Sequence, residues 1–388
     1  MRILSGPWAL TLAALALVPA ARGGEVVEQH PTAQAVRTTN EVFRGELTAH
    51  AEHADRLDAE LNQRTDRRLG REAVWEERIS ASPKLWVYES PDRRGRTIVD
   101  FEQGWIEAQV LVPRGAQDRD ASDVRSNLED LIQWILAWRE PLTAHGSVTV
   151  VADQVAGLAD APADGPACAA AAHELVQEEK IIWQPVDHGS GATQQVATIR
   201  LPLVDDHLQR RGARHRSLVG CYATKFGVDP DLVMSVIEVE SAFNPRAISP
   251  AGALGLMQIV PESAGRDALE LCPDLPNPLP REAYFDPETN IRLGCAYLHI
   301  LEHRRFAGVR DRLSRRHMTL AAYNGGAGSV ARALAGTNRT ADAVRAANAM
   351  DDQAVYEQLR THLPQRETRT YLLKVAEVLS GHGRGKAF

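Results

Sequence analysis

The sequence predicts an α+β protein, a mixed α/β domain followed by a mostly helical one, and three observations carry that expectation. Between residues 84 and 112, β-branched and aromatic runs flank the turn signal Asp92-Arg93-Arg94-Gly95 and read as strands. A second pair of such runs, Glu179 to Val186 and Gln194 to Leu203, flanks His188-Gly189-Ser190-Gly191 as the arms of a hairpin would. From residue 228 onward the apolar residues recur at intervals of three and four, the period of helices with one buried face. A length of 388 residues allows two domains, each large enough to bury a core.

At the amino terminus, Arg2 precedes the apolar run Trp8 to Val18, and Pro19-Ala20-Ala21 follows. This reads as a secretory signal peptide over residues 1–22, and the run is too short for a comfortable membrane span, so no transmembrane anchor is expected in the mature chain. No cysteine stands near Ala20 to Gly24, where a bacterial lipoprotein would carry one, which disfavours lipid anchoring. Residues 23–44 read as a flexible mature terminus, and Leu47, Leu57, Leu61 and Leu69 among many charges suggest a solvent-washed helix.

The accessory domain is expected over 45–204. The run from Thr97 to Val112 alternates imperfectly and reads as one bent strand or two. Asp123 to Trp138 places Val124, Leu128, Leu131, Ile132, Ile135 and Leu136 on a broad apolar helical face. Pro141 to Ala172, rich in Ala, Gly, Pro and Asp, reads mainly as a connector with a short strand near Val148 to Val151. Asp100, Glu102, Glu107 and Trp105 read as a solvated face with packed aromatics rather than a second site.

The helical domain is expected over 205–388. Arg210, Arg211, Arg214 and Arg216 read as a solvated helix or linker face, with local electrostatic attraction for an acidic polymer as the alternative. Asp229 caps a helix whose first residue is Pro230. Leu232, Val233, Val236 and Ile237 form its inward stripe, and Glu240 falls on that stripe. Asn244-Pro245 is expected to end the helix, and the loop that follows must return close to Glu240. Asp286-Pro287-Glu288 begins another helix, narrow at Gly294-Cys295-Ala296; Thr319 to Tyr323 closes a core helix that opens at Asn324-Gly325-Gly326. Further helices are expected at Val330 to Leu334 and Glu367 to Leu379.

A net charge of -7 and a pI near 6.0 argue against a general nucleic-acid binder, so no nucleic-acid partner is expected. The four cysteines suit disulfides in an exported protein; their irregular spacing, without Cys-x-x-Cys, gives little support for zinc. No metal or redox cofactor is expected. Cys272 and Cys295 bracket a proline-rich loop and the helix after it, and are the favoured disulfide pair. Glu240 has two readings: a structural carboxylate, or a general acid kept protonated by apolar surroundings.

Four motifs in order shift the balance toward the general acid. Glu240-Ser241, Gly255-Leu256-Met257-Gln258, Ala322-Tyr323-Asn324-Gly325-Gly326, and Glu367-Thr368 with Tyr371 resemble the lysozyme-like domain of lytic transglycosylases, glycoside hydrolase family 23. An α/β module ahead of such a domain extends the resemblance over most of the mature chain. The resemblance implies Glu240 as the catalytic acid and then base. It implies Ser241, Ser249, Met257, Gln258, Tyr323, Asn324 and Tyr371 as residues that bind or orient the substrate, and Glu367 as a network residue. It implies peptidoglycan glycan strands as substrate, with cleavage between N-acetylmuramic acid and N-acetylglucosamine. A periplasmic location follows, with peripheral association with the wall or outer membrane and a cell-wall protein complex as a further partner. The accessory module would then govern placement on the glycan. The competing readings are a hydrolytic muramidase using the same groove and a non-catalytic peptidoglycan-binding module.

Overall fold

Strands form where β-branched and aromatic residues cluster between turns, and helices where apolar spacing lengthens or alanine accumulates. In chain order the first part contains β1 (Leu85–Glu89), β2 (Gly95–Asp100), β3 (Trp105–Val112), α1 (Ala121–Ala137), β4 (Arg139–Thr143), β5 (Gly146–Thr149), α2 (Gly165–Glu178), β6 (Ile182–Asp187) and β7 (Thr193–Pro202). The structure is a computed structural model that describes residues 75, 82–90, 94–112, 121–137, 139–143, 146–149, 151–155, 165–187 and 193–384. All of these fall within one compact unit, Thr65–Phe388. The signal peptide, the flexible terminus, the helix expected around Leu47 to Leu69 and the turn at His188 to Gly191 lie outside the described residues.

The sheet is antiparallel with strand order β1-β2-β3-β7-β6, and β4 and β5 form a separate two-stranded ribbon. The imperfect alternation of 97–112 resolves into two strands. Asp100 accepts hydrogen bonds from the backbone N–H groups of Glu102 (3.0 Å) and Gln103 (2.7 Å), which turns the chain between β2 and β3. Val99 then pairs with Ile106 and Ile106 with Leu201, and this apolar face packs under Leu128, Ile132 and Ile135 of α1 and Ala172 and Val176 of α2.

Two expectations change here. The connector expected over 141–172 holds the β4–β5 ribbon and the first half of α2. Alanine has the highest helix propensity but contributes little apolar contrast, so the run of alanines before His173 hides the buried stripe of Cys168, Ala171, Ala172 and Val176. Glu107, expected on a solvated face, is buried: its Oε2 accepts from Arg200 Nη2 at 2.5 Å and its Oε1 from Gln109 Nε2 at 2.5 Å, while Arg200 lies over Trp105. Arg200 across the sheet and Gln109 two residues along the same strand satisfy the carboxylate that solvent was expected to satisfy.

The second part is helical: α3 (His207–Phe226), α4 (Pro230–Ser241), α5 (Pro287–His299), α6 (Arg312–Gly325), α7 (Ala327–Ala335), α8 (Thr340–Ala347), α9 (Asp352–His362) and α10 (Arg366–Arg384). α10 packs against α4 and α6, and α3 against α4 and α5, around a core that includes Val236, Ile237, Leu256, Ile291 and Leu320.

The basic stretch of α3 is not a solvated face throughout, because Arg211 is only 2% exposed. Its guanidinium donates to Phe101 O (2.5 Å), Gln154 Oε1 (2.5 Å) and Ala242 O (3.0 Å). Burial, reinforced by Arg214, lowers its pKa to about 9, so it stays charged at neutral pH. Ala242, just past α4, packs into the sheet-side core. The sheet and the end of α4 are thus held by one buried cation.

Cys272 and Cys295 are free thiols, as are Cys168 and Cys221, so the expected disulfide is corrected. Both side chains belong to the helical core, where they pack as small apolar groups, and burial pushes both thiols up.

Candidate active site

Helix α4 begins as expected. Asp229 Oδ1 accepts from Asp231 N at 3.0 Å, and Oδ2 accepts from Arg316 Nη2 at 2.5 Å. Its end comes at Ser241, ahead of the expected stop at Asn244-Pro245. Ala242 (φ 49°) and Phe243 (φ 60°) adopt the left-handed region, and Ala242 N donates to Glu238 O at 2.9 Å. Positive φ in non-glycine residues is unfavourable and persists where surrounding packing enforces it. Among the described residues the third case is Gln258 (φ 49°). All three belong to the segments that frame Glu240.

The loop after α4 folds back through a narrow ladder. Ser249 N donates to Ala253 O (3.0 Å) and Gly255 N to Ala247 O (2.9 Å). Asn290 of α5, fully buried, organises the loop: its Nδ2 donates to Leu254 O (2.9 Å) and Tyr284 O (2.6 Å), and its Oδ1 accepts from Met257 N (2.7 Å). Gly255 has φ +71°, and a Cβ there would collide with Asn290 and with the backbone of Tyr284. Sequence reading missed Asn290. The available signal was a polar residue directly before the apolar position Ile291 on a well-capped helix.

A groove of about 740 Å³ opens over the end of α4. Val239, Glu240, Ser249 and Gln258 line one part; Tyr323, Asn324 and Gly325 at the end of α6 line another; Glu367, Tyr371 and Lys374 on α10 face them. Ser82, Pro83, Lys84 and Glu102 complete it from the sheet side. Sequence reading missed Lys84 and placed Glu102 on a solvated face, because nothing local links the approach to β1 and the β2–β3 turn to a helix far along the chain.

Glu240 keeps part of its surface open to this groove while protein surrounds the rest. Desolvation pushes its pKa up to about 8, against the opposing pulls of the Tyr371 hydroxyl and the Lys84 charge and with a small push from Glu367. Tyr371 is 5% exposed, and its hydroxyl, close enough to affect Glu240, has no partner at full hydrogen-bond geometry. Burial first, and the Glu240 charge second, hold the Tyr323 and Tyr371 hydroxyls well above the ordinary tyrosine value.

The remaining predicted residues divide clearly. Ser249, Gln258, Tyr323, Asn324, Tyr371 and Glu367 line the groove with Glu240, whereas Ser241 and Met257 do not. Ser241 is buried and its Oγ lies 2.8 Å from Leu256 O and 3.0 Å from Ile237 O, tying the helix end to the loop. The Met257 side chain packs against Gly294, where a Cβ would collide with its sulfur, and its carbonyl accepts from Tyr323 Oη at 2.7 Å. These two residues therefore act on the groove from behind. Gln258 Nε2 donates to Gly255 O (2.9 Å) and Ala247 O (3.2 Å), and its Oε1 is buried without a partner. Asp274 is bound to Arg292, and Asp267 borders a separate pocket with Glu270, Arg304 and Arg305, so neither faces Glu240.

Among the described residues no group of three or more His, Cys, Asp or Glu is placed to hold a metal ion, and no helix is long and apolar enough to cross a membrane. Residues 217–345 match the family model described as Transglycosylase SLT domain. The chain is similar to membrane-bound lytic murein transglycosylase C of Klebsiella pneumoniae, 42% identical over 184 residues, covering 46% of this chain and 49% of the relative. Its similarity to the protein of the same description from Sodalis glossinidius is 39% over 190 residues, covering 49% of this chain and 52% of the relative. The chain thus spans about half the length of the curated relatives it matches. Among solved structures, the 70 kDa soluble lytic transglycosylase from Escherichia coli matches at 27% identity with a TM-score of 0.37, over 47% of this chain and 26% of the other.

Proposed function

We propose that the chain is a peptidoglycan lytic transglycosylase of glycoside hydrolase family 23, cleaving the β-1,4 bond between N-acetylmuramic acid and N-acetylglucosamine and leaving a 1,6-anhydromuramyl end. The observation that carries this is Glu240: a carboxyl on a groove of about 740 Å³ whose pKa, raised by desolvation to about 8, keeps it protonated at neutral pH. Glu240 delivers its proton to the glycosidic oxygen as the bond to C1 breaks. The 6-hydroxyl of the same muramyl residue then attacks C1 and returns its proton to the Glu240 carboxylate, which restores the acid. Capture within one sugar needs no external water. Asn324 and Ser249 offer polar contacts to the sugar, and Gln258, its amide held by Gly255 O and Ala247 O, shapes the groove beside them. Tyr323 and Tyr371 shape the pocket around the acid, and Ser241 and Met257 hold the loop from behind.

One observation favours a second reading. Ordinary glycosidases use two carboxylates, and Glu367 stands in the same groove and interacts with Glu240. As a base for water it would make the enzyme a hydrolytic muramidase. Digestion of isolated glycan in isotopically labelled water, followed by mass spectrometry, separates the two. Unlabelled anhydromuramyl ends, with Glu367→Gln retaining them, support the transglycosylase; labelled reducing ends as primary product overturn it.

In this reading residues 1–22 direct export to the periplasm, where a cell-wall complex is the natural partner. Residues 45–204 form the accessory domain and 205–388 the cleaving domain. Amino-terminal sequencing of the exported protein tests the first statement, and retention of Met1 through Val18 would overturn it.

A further inference from the structure

The groove contains a charged cluster that the family motifs do not account for. Lys84 Nζ lies 2.7 Å from Glu102 Oε1, and Lys374 Nζ lies 3.3 Å from the same oxygen. Lys84 comes from the approach to β1, Glu102 from the β2–β3 turn and Lys374 from α10, and all three line the groove with Glu240. The segment of Lys84 is anchored on both sides: Pro83 O accepts from Asn244 Nδ2 (3.1 Å), three residues beyond Ser241, and Lys84 O accepts from Phe101 N (2.8 Å). The side chain of Lys84 is only 18% exposed, against 48% for Lys374.

An ammonium carries three N–H donors. Glu102 is the acid that pairs with both lysines among the described residues, and its desolvation is outweighed by their pull, so its pKa is lowered and it stays ionised. One carboxylate oxygen cannot occupy the donors of two ammoniums. Two cations gathered around one anion leave the cluster with a net positive charge, on a chain whose total is -7. Partly exposed ion pairs of this kind are weak and exchange readily with an incoming anion.

We propose that Lys84 and Lys374, gathered by Glu102, form a subsite for a carboxylate carried on the muramyl substituent of the glycan strand. The proposal rests on the peptidoglycan reading and adds a specificity that the acid itself does not supply. The carboxylate has two sources, the lactyl group of peptide-free glycan and the free carboxyls of a stem peptide.

The test is binding, so it is independent of which muramyl end the enzyme makes. Calorimetry on the full chain carrying Glu240→Gln, with and without Lys84→Met and Lys374→Met, uses three probes at low salt: peptide-free glycan, peptide-bearing glycan and neutral chitohexaose. The lysine substitutions are expected to weaken at least one carboxylate-bearing glycan tenfold or more while changing chitohexaose less than twofold. A loss confined to peptide-free strands assigns the lactyl group, and one confined to peptide-bearing strands assigns the peptide. Glu102→Gln keeps both ammoniums and removes their competitor, so it is expected to retain or tighten carboxylate binding. Equal weakening of all three probes, no selective weakening, or a Glu102→Gln loss as large as that of the lysine pair would overturn the proposal. Failure of the transglycosylase reading would show separately, as labelled reducing ends from the unsubstituted chain.

Discussion

Glu240 pairs a raised pKa with a position on the groove, and the two have opposite consequences for activity and stability. With a folded pKa of about 8 against an ordinary 4.5, the native state keeps a proton that the unfolded chain releases. The cost to stability is absent below about pH 4.5, grows as pH rises and is complete above about pH 8, with a size on the order of a few kcal/mol at most. Glu240→Gln removes that cost. It is expected to lower cleavage by about 100-fold or more while raising the melting temperature at pH 8 and leaving it unchanged at pH 4. Calorimetric scans at the two pH values check the sign, and a variant less stable at pH 8 would contradict it. Tyr371→Phe removes a hydroxyl that lowers the Glu240 pKa, so the alkaline limb of the pH-rate profile is expected to move upward. A limb that stays or falls would remove Tyr371 from that role.

At the level of elements, the helix that carries the acid is specified at its start and shaped at its end. Asp229→Ala removes the cap and the partner of Arg316 together. The expected loss is about 1–2 kcal/mol, read from urea unfolding, and Arg316→Met in the Asp229→Ala background should add little. A loss below about 0.3 kcal/mol would show that packing alone holds the helix start. Both Asp-Pro starts were legible in sequence, since the second cap, Asp286, accepts from Thr289 N as the first does from Asp231 N. The end of α4 was not legible. Asn244-Pro245 marks where a helix must have stopped, but Ser241, Ala242 and Phe243 stop it earlier through contacts with the returning loop and the sheet-side core. Helix α2 was missed for a different reason, because alanine is silent in a reading based on apolar contrast.

Across the whole molecule, Arg211 joins the sheet, the short helical turn at Gln154 and the end of α4. Arg211→Met leaves three buried acceptors without their donor and is expected to cost roughly 3–5 kcal/mol, at about 1–3 kcal/mol for each unsatisfied group, measured by chemical denaturation, with cleavage reduced because the end of α4 loses its anchor. If that variant unfolds like the unsubstituted chain, the two cores are independent. For the same reason a 205–388 fragment is expected to be less stable than the full chain, even where some cleavage remains, since Ala242 loses its cover and the groove loses Lys84 and Glu102.

Legible along the chain were the α+β class, most strands of the sheet, several of the helices, the two Asp-Pro helix starts, and the grouping of Glu240 with most of the residues that line its groove. These are local properties, set by periodicity, caps and short motifs that neighbouring residues spell out. Long-range packing is what puts Ser241 and Met257 behind the groove, lets Asn290 and Arg211 position its parts, and leaves Cys272 and Cys295 as packed thiols. It also decided that Lys84 and Glu102 belong to the groove at all. Each of these depends on which distant side chain fills a space or completes a hydrogen bond, and such pairings leave no mark on the spacing of residues along the chain.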